Sequence, residues 1–139
     1  MKGKRRKSRE AALQALYQWK LAGGTAYEIE SHFRESEEYA QCDAEYFTRL
    51  LKGTIAEVES LQGIIRPNLD RDFSELSPVE ASILLLGTFE LKNHPDIPYR
   101  VVINEAVELA KLYGGTDGHK YVNGVLDRIA AKLRASEIR

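Results

Sequence analysis

Apolar residues along this chain recur at the three-to-four spacing of helices, and no stretch alternates long enough to read as a strand. Ala11, Ala12, Leu13, Ala15, Leu16, Tyr17, Trp19 and Leu21, set against Arg9, Glu10, Gln14, Gln18 and Lys20, predict a first helix stopped by Gly23-Gly24. Thr25 with Glu28 is a capping-box signature for a short second helix holding Tyr27, Ile29 and Phe33, whose pattern dissolves near Ser36. From Asp43 as N-cap, the face Phe47, Leu50, Leu51, Ile55, Val58 and Leu61 predicts a long third helix. Gly63 and Pro67 predict a break and a short fourth helix before Leu69, then a loop from Asp70 to Glu75. A sixth helix carries Val102, Ile103, Ala106, Val107, Leu109, Ala110 and Tyr113, with Gly114 suited to a left-handed C′ position. The last starts near Thr116 or Asp117 and places Val122, Val125, Leu126, Ile129 and Leu133 in one stripe.

The fifth helix, Leu76 to Leu91, organises the rest. Ser77 is its N-cap, Pro78 takes the first helical position, and Glu80 is placed to reach back as the third residue of a capping box. Ile83 to Leu86 are four consecutive large aliphatics, so the helix is apolar all round and other helices must cover it. Glu80, Gly87, Glu90 and Lys92 interrupt the run below the roughly 20 residues of a membrane span. The expected fold class is all-α: a single compact bundle of about seven helices around a buried central helix, one domain over 1–139. Disorder is expected only in the basic arm and the last few residues.

Composition adds location and polarity. Cys42 is the only cysteine, which excludes an intrachain disulfide and suits a reducing cytosol. No apolar segment of a secretory signal follows the basic amino terminus, so the expected location is cytoplasmic, with no membrane contact. The net charge of −1 conceals an arm, residues 1–9, with Lys2, Lys4, Arg5, Arg6, Lys7 and Arg9, and an acidic run from Glu28 to Glu45 in which Arg34 is the only cation.

Catalytic constellations are absent from the pattern. His32, His94 and His119 fall on separate elements, and the pairs Glu28/His32 and Glu90/His94 supply two ligands each, too few for a metal cage. Cys42 lies among acidic residues, which raise a thiol pKa and leave it inert. Gly114-Gly115 lacks phosphate-loop spacing. The arm has a stronger claim, because its cations neutralise phosphates, and a helical extension would set Arg5 and Arg9 in a row leading toward Tyr17. Thr116-Asp117-Gly118-His119-Lys120-Tyr121 is a second candidate: a helix start with free N–H groups, a cation, and a ring able to stack on an unpaired base. Its competing reading is capping chemistry with Tyr121 half in the core. Asn104 and Asn123 are expected to be buried helix-packing hydrogen bonders, and Gly124 to mark close helix contact.

Arg5-Arg6-Lys7-Ser8-Arg9-Glu10, Ala15-Leu16-Tyr17-Gln18-Trp19, Leu76-Ser77-Pro78-Val79-Glu80, Asp96-Ile97-Pro98, the run from Ile103 to Lys111 and the run from Lys120 to Asp127 together resemble the NusB family of bacterial transcription antitermination factors, over essentially the whole chain. The resemblance implies a non-enzymatic, cofactor-free protein that binds boxA-type single-stranded RNA of ribosomal RNA transcripts together with the ribosomal protein NusE, within an RNA polymerase antitermination complex. It implies RNA contacts at Arg5, Arg6, Arg9, Asp117, Lys120 and Tyr121, and partner contacts at Tyr17 and Glu80. Two positions depart from the family pattern: Lys7 where arginine is frequent and Tyr121 where phenylalanine is, with charge and ring retained. Two alternatives stay open, a NusB-like module assisting ribosomal RNA modification and a protein-only helical adaptor docking through its acidic run. A homodimer also stays open, since an apolar face on the first or third helix could meet a second copy.

Overall fold

The structure is a computed structural model that describes residues 2–115 and 117–138, the side chain of Lys2 excepted. All regular elements among the described residues are helical, and the chain divides into two compact units, Met1–Glu57 and Val58–Arg139.

The first unit holds α1 (Lys2–Ala22), α2 (Ala26–Phe33), α3 (Glu37–Ala40) and α4 (Ala44–Ala56). The basic arm, expected to be disordered, forms the first turns of α1. Local packing explains this: the buried Ser8 Oγ accepts from the Asp43 N–H at 2.9 Å and lies 2.9 Å from both the Lys4 and Asp43 carbonyls, either of which its single proton can serve. Gly23 and Gly24 turn the chain with φ of 77° and 97°, a region other residues rarely adopt. Both halves of the Thr25/Glu28 capping box form, at 3.1 and 2.8 Å. The helical pattern was expected to dissolve near Ser36, but Ser36 caps a four-residue helix there by accepting from the Tyr39 N–H. Leu13 and Leu16 of α1, Phe33 of α2 and Phe47, Leu50 and Leu51 of α4 make the core, with the Tyr39 ring edge-on to Phe47 at 5.6 Å.

The second unit begins with α5 (Val58–Ile65), so the long third helix of the sequence reading breaks at Glu57, not at Gly63, which lies within α5. The break falls where the chain changes packing partner: α4 packs on α1 and α2, α5 on the central helix. Pro67 sits in a 3₁₀ turn, Arg66–Asn68. The central helix α6 (Pro78–Asn93) is buried at every position from Ala81 to Leu91 and is covered by α5, α7 (Tyr99–Tyr113) and α8 (Gly118–Leu133), as its all-round apolarity requires. Gly87 permits the approach of α8, since a Cβ there would stand 3.1 Å from Leu126 Cδ1.

Several local expectations are corrected. Only one half of the Ser77 box forms: Ser77 Oγ accepts from the Glu80 N–H at 3.1 Å, while the Glu80 carboxylate turns to Gly118, where a Cβ would lie 2.6 Å from Oε2. Gly114 is extended, with φ −89° and ψ 176°; it is needed because a Cβ would sit 2.7 Å from the Ala110 carbonyl oxygen. The left-handed residue is Asp117, φ 65°, which makes no side-chain cap. Thr116 lies outside the described residues. Asn104 and Asn123 are exposed because they stand on the solvent sides of α7 and α8, and beside Gly124 a Cβ would meet only Arg128 Nη1 at 3.7 Å. The carboxyl-terminal end is ordered through 138, with a ninth helix, α9 (Ala135–Ile138).

That order comes from Arg134, which is 5% exposed. Its guanidinium donates to the carbonyls of Leu91 at 2.8 Å, Ile97 at 2.9 Å, His94 at 2.9 Å and Glu90 at 3.4 Å, and pairs with Glu137 at 2.6 Å. Glu137 in turn accepts from the Tyr99 N–H at 2.8 Å, at the start of α7. One cation thus satisfies the carbonyl end of α6 and holds the carboxylate that caps α7. No helix of the described residues is long and apolar enough to cross a membrane.

Candidate nucleic-acid interface

The candidate residues fall into two groups, one in each unit. In the first, α1 carries Arg5, Arg6, Arg9 and Tyr17 on a continuous helix, but the row expected from the spacing is interrupted because Arg9 is buried. Tyr46 of α4 anchors it: the Arg5 guanidinium lies 4.7 Å and that of Arg9 5.5 Å from its ring centre, and Arg9 Nη2 reaches the phenol oxygen at 3.4 Å. The three arginines are therefore not equivalent. Arg5 and Arg6 are exposed, whereas Arg9 is 6% exposed and serves the packing of α1 on α4. Tyr17 is half-buried further along the helix.

In the second unit, Lys120 pairs with Asp117 at 3.5 Å, both side chains exposed, at the start of α8. Tyr121 is half-buried, and its hydroxyl donates to Asp70 Oδ1 at 3.0 Å. The Arg71 guanidinium lies over its ring, 4.4 Å from the centre, while holding Asp70 through Nε at 2.8 Å. The Arg71 hydrogen bond, seconded by that of Tyr121, keeps the Asp70 carboxyl below its ordinary range. Burial, then the bond to Asp70, pushes the Tyr121 phenol up. Glu80 belongs to this group through Gly118, the first residue of α8. Beside Tyr121 opens a groove of about 510 Å³ lined by Pro67, Asn68, Asp70, Lys120, Tyr121 and Arg128 among others.

Asp70, Arg71, Arg128 and Tyr46 were missed by sequence reading. Asp70 meets Tyr121 across 51 residues, and no local periodicity signals such a contact; the only available hint was the adjacent opposite charges of Asp70-Arg71 in a loop. Other readings are sharpened. Cys42 is buried, and burial is the first cause that raises its thiol, ahead of the Asp43 charge. Glu30, within the acidic run, is 2% exposed: it accepts from Thr48 and pairs with Lys52 at 3.3 Å and Arg34 at 3.5 Å. The Glu30 carboxylate of the supposed acidic docking face is thereby covered and neutralised by two partly exposed cations.

With every regular element among its described residues helical, an ordered basic arm and an aromatic groove edged by cations, the chain is of the class of small all-α proteins that present cations on the surface. The NusB family model matches residues 6–131. The transcription antitermination protein NusB of Nitrosospira multiformis is 65% identical over 130 residues, 94% of this chain and 82% of the relative. That of Nitrosomonas europaea is 54% identical over 99% of this chain and 83% of its own length. Among solved structures, NusB of T. maritima aligns with a TM-score of 0.78 at 32% identity, covering 91% of this chain and 90% of that one. A structure of antitermination factors NusB and NusE in complex with dsRNA aligns with a TM-score of 0.74 at 28% identity, covering 89% and 93%. The chain belongs to the NusB family.

Proposed function

We propose that the protein is a transcription antitermination factor that binds boxA-type RNA of ribosomal RNA transcripts together with NusE and, as part of an RNA polymerase antitermination complex, helps the polymerase read through terminators. The observation that carries this reading is the helical arm, which fixes Arg5 and Arg6 on one rigid element in a chain of this family. Cations ordered on a helix lose less entropy on binding than those of a loose tail do. Asp117, Lys120 and Tyr121 supply the second contact, Tyr17 and Glu80 the protein contact, and residues 1–139 act as one RNA-binding domain of the cytoplasm without covalent chemistry or cofactor. Two modest contacts joined in one ternary complex reinforce each other through effective concentration.

The test is titration of labelled boxA-type RNA, single-stranded and duplex, with and without NusE. If about four phosphates are neutralised, the log–log salt slope on the single strand is close to −3. A flat salt response overturns the arm's role. Capture of an RNA-modifying enzyme in place of NusE and polymerase would favour the modification-module reading instead.

A further inference from the structure

We propose that the groove between α7 and α8 is a docking site for an extended peptide segment of a partner protein, held through its main chain by Asn104 and Asn123. This surface is additional to the RNA contacts and to Tyr17 and Glu80. Asn123 stands two residues beyond Tyr121, about 200° around the helix, and lines a groove with α7 instead of meeting the loop at Asp70.

A side-chain amide among apolar neighbours is expected to be buried and paired, yet Asn104 and Asn123 are both exposed, and neither has a hydrogen-bond partner among the described residues. They line one groove of about 290 Å³ whose floor is apolar, with Ile103 buried and Val107 half-buried. That volume falls just short of the range of enclosed small-ligand sites, so the groove suits a chain that crosses it rather than a molecule it surrounds. The spacing of its polar groups matches a strand. Arg100 and Asn104 are one turn apart on α7, and Asn123 and Asp127 one turn apart on α8, about 6 Å in each case. An extended chain presents an N–H and a C=O on one edge from every second residue, about 6.7 Å apart. A carboxamide carries both an acceptor and donors, the complement of such a main-chain pair. The two walls thus address the two edges of one strand, while its side chains alternate between the floor and solvent.

Charge narrows the occupant. Arg100 donates to the Tyr99 hydroxyl at 3.1 Å, and among the described residues it has no carboxylate partner and Asp127 no cation. One cation and one carboxylate give no excess of positive charge for a phosphate chain. They fit a peptide that brings an acidic side chain to Arg100 and a basic one to Asp127. The Tyr99 end is fixed in advance, because Glu137 accepts from the Tyr99 N–H at 2.8 Å and is itself held by Arg134, so binding orders little of the protein.

The experiment selects a displayed library of random heptapeptides on the full chain, with the double variant Asn104→Ala, Asn123→Ala as the counter-target. Peptides that alternate small apolar residues and carry an acidic one are expected to be enriched on the wild type. Made synthetically and measured by fluorescence polarisation, they should bind the double variant roughly tenfold more weakly, since each lost neutral hydrogen bond accounts for about two- to tenfold. N-methylation of alternate peptide N–H groups should weaken binding similarly while leaving every side chain in place. Arg100→Gln should remove the preference for the acidic residue, and the side-chain amide resonances of Asn104 and Asn123 should shift on titration. The double variant should keep the wild-type affinity for boxA-type RNA and for NusE, so that failure here is distinguishable from failure of the RNA-binding reading. If no peptide is enriched over the double variant, or N-methylated peptides bind as well as unmodified ones, the docking site is refuted. Displacement of the peptide by boxA-type RNA or by NusE would assign the groove to that ligand, and the inference of a further partner falls. Should the double variant fail to fold, as circular dichroism would reveal, the N-methylated peptides on the wild type carry the test alone.

Discussion

Arg134→Ala should be among the most damaging single changes in the chain, although it alters one arginine near the carboxyl terminus. The side chain is 5% exposed and donates to the carbonyls of Glu90, Leu91, His94 and Ile97 while pairing with Glu137. Hydrogen bonds to a charged group contribute about 1.5–3 kcal/mol each, but they share one guanidinium and do not add. Removing one partner of a buried charged network costs about 3–5 kcal/mol, and that is the expected loss. For a domain of this size each kcal/mol shifts the melting temperature by roughly 3–4 °C, so Arg134→Ala should melt roughly 10–20 °C lower. Arg134→Lys keeps the charge but not the planar fork and should recover less than half. The assay is thermal unfolding followed by circular dichroism, with hydrogen exchange at Ile97 to Val101 as a local readout. A melting temperature within about 3 °C of wild type would show that water replaces the guanidinium without loss, and the staple would then be an incidental contact.

Arg9→Ala should destabilise by about 1–2 kcal/mol through loss of a buried guanidinium and its hydrogen bond to Tyr46, whereas Arg5→Ala with Arg6→Ala removes only an exposed cation–ring contact on Tyr46, should cost about 0.5 kcal/mol, and should weaken RNA binding; equal melting temperatures would refute the division of the arm. Glu80→Gln should preserve stability, because the Ser77 cap uses the backbone N–H of Glu80, and should reduce NusE capture in a pull-down; intact capture would leave Glu80 a purely structural residue. Burial raises the Glu30 carboxyl, but bonds from Thr48 and Lys52 and the charges of Lys52 and Arg34 outweigh it, so the net shift is downward. Glu137 is lowered first by the Tyr99 N–H and then by Arg134. A depressed carboxylate stabilises the fold above its unfolded pKa near 4.3, and that contribution disappears as pH falls through the lower folded value. Melting temperature should therefore drop as pH falls below about 4.3, and more shallowly in Glu30→Gln; identical acid profiles would refute the ion cluster's role.

How much was readable in advance follows the range of the forces involved. The central helix was legible because Ile83 to Leu86 point in every direction around a helix, and only burial on all sides satisfies them. The Thr25/Glu28 box and the Gly23-Gly24 turn were legible because their partners lie within three residues. Helices α3 and α9 escaped because four residues carry no periodicity, and the break at Glu57 because it marks a change of packing partner. Gly114 was rightly seen as a helix stop, but the reason was a carbonyl 2.7 Å from its missing Cβ and not a left-handed turn.

The sequence by itself determined the helical class, the family and the residue types available for RNA, since these rest on local pattern and on motifs read in order. Tertiary structure alone decided which of them are free to act. It buried Arg9 against Tyr46 and left Arg5 exposed, four residues away on the same helix. It set Arg71 on Tyr121, and it spent Arg134 on carbonyls of α6 and of the turn that follows it. The physical reason is that a cation's role depends on what desolvates and pairs it, and here the rings and carbonyls that do so lie 37 to 50 residues away along the chain.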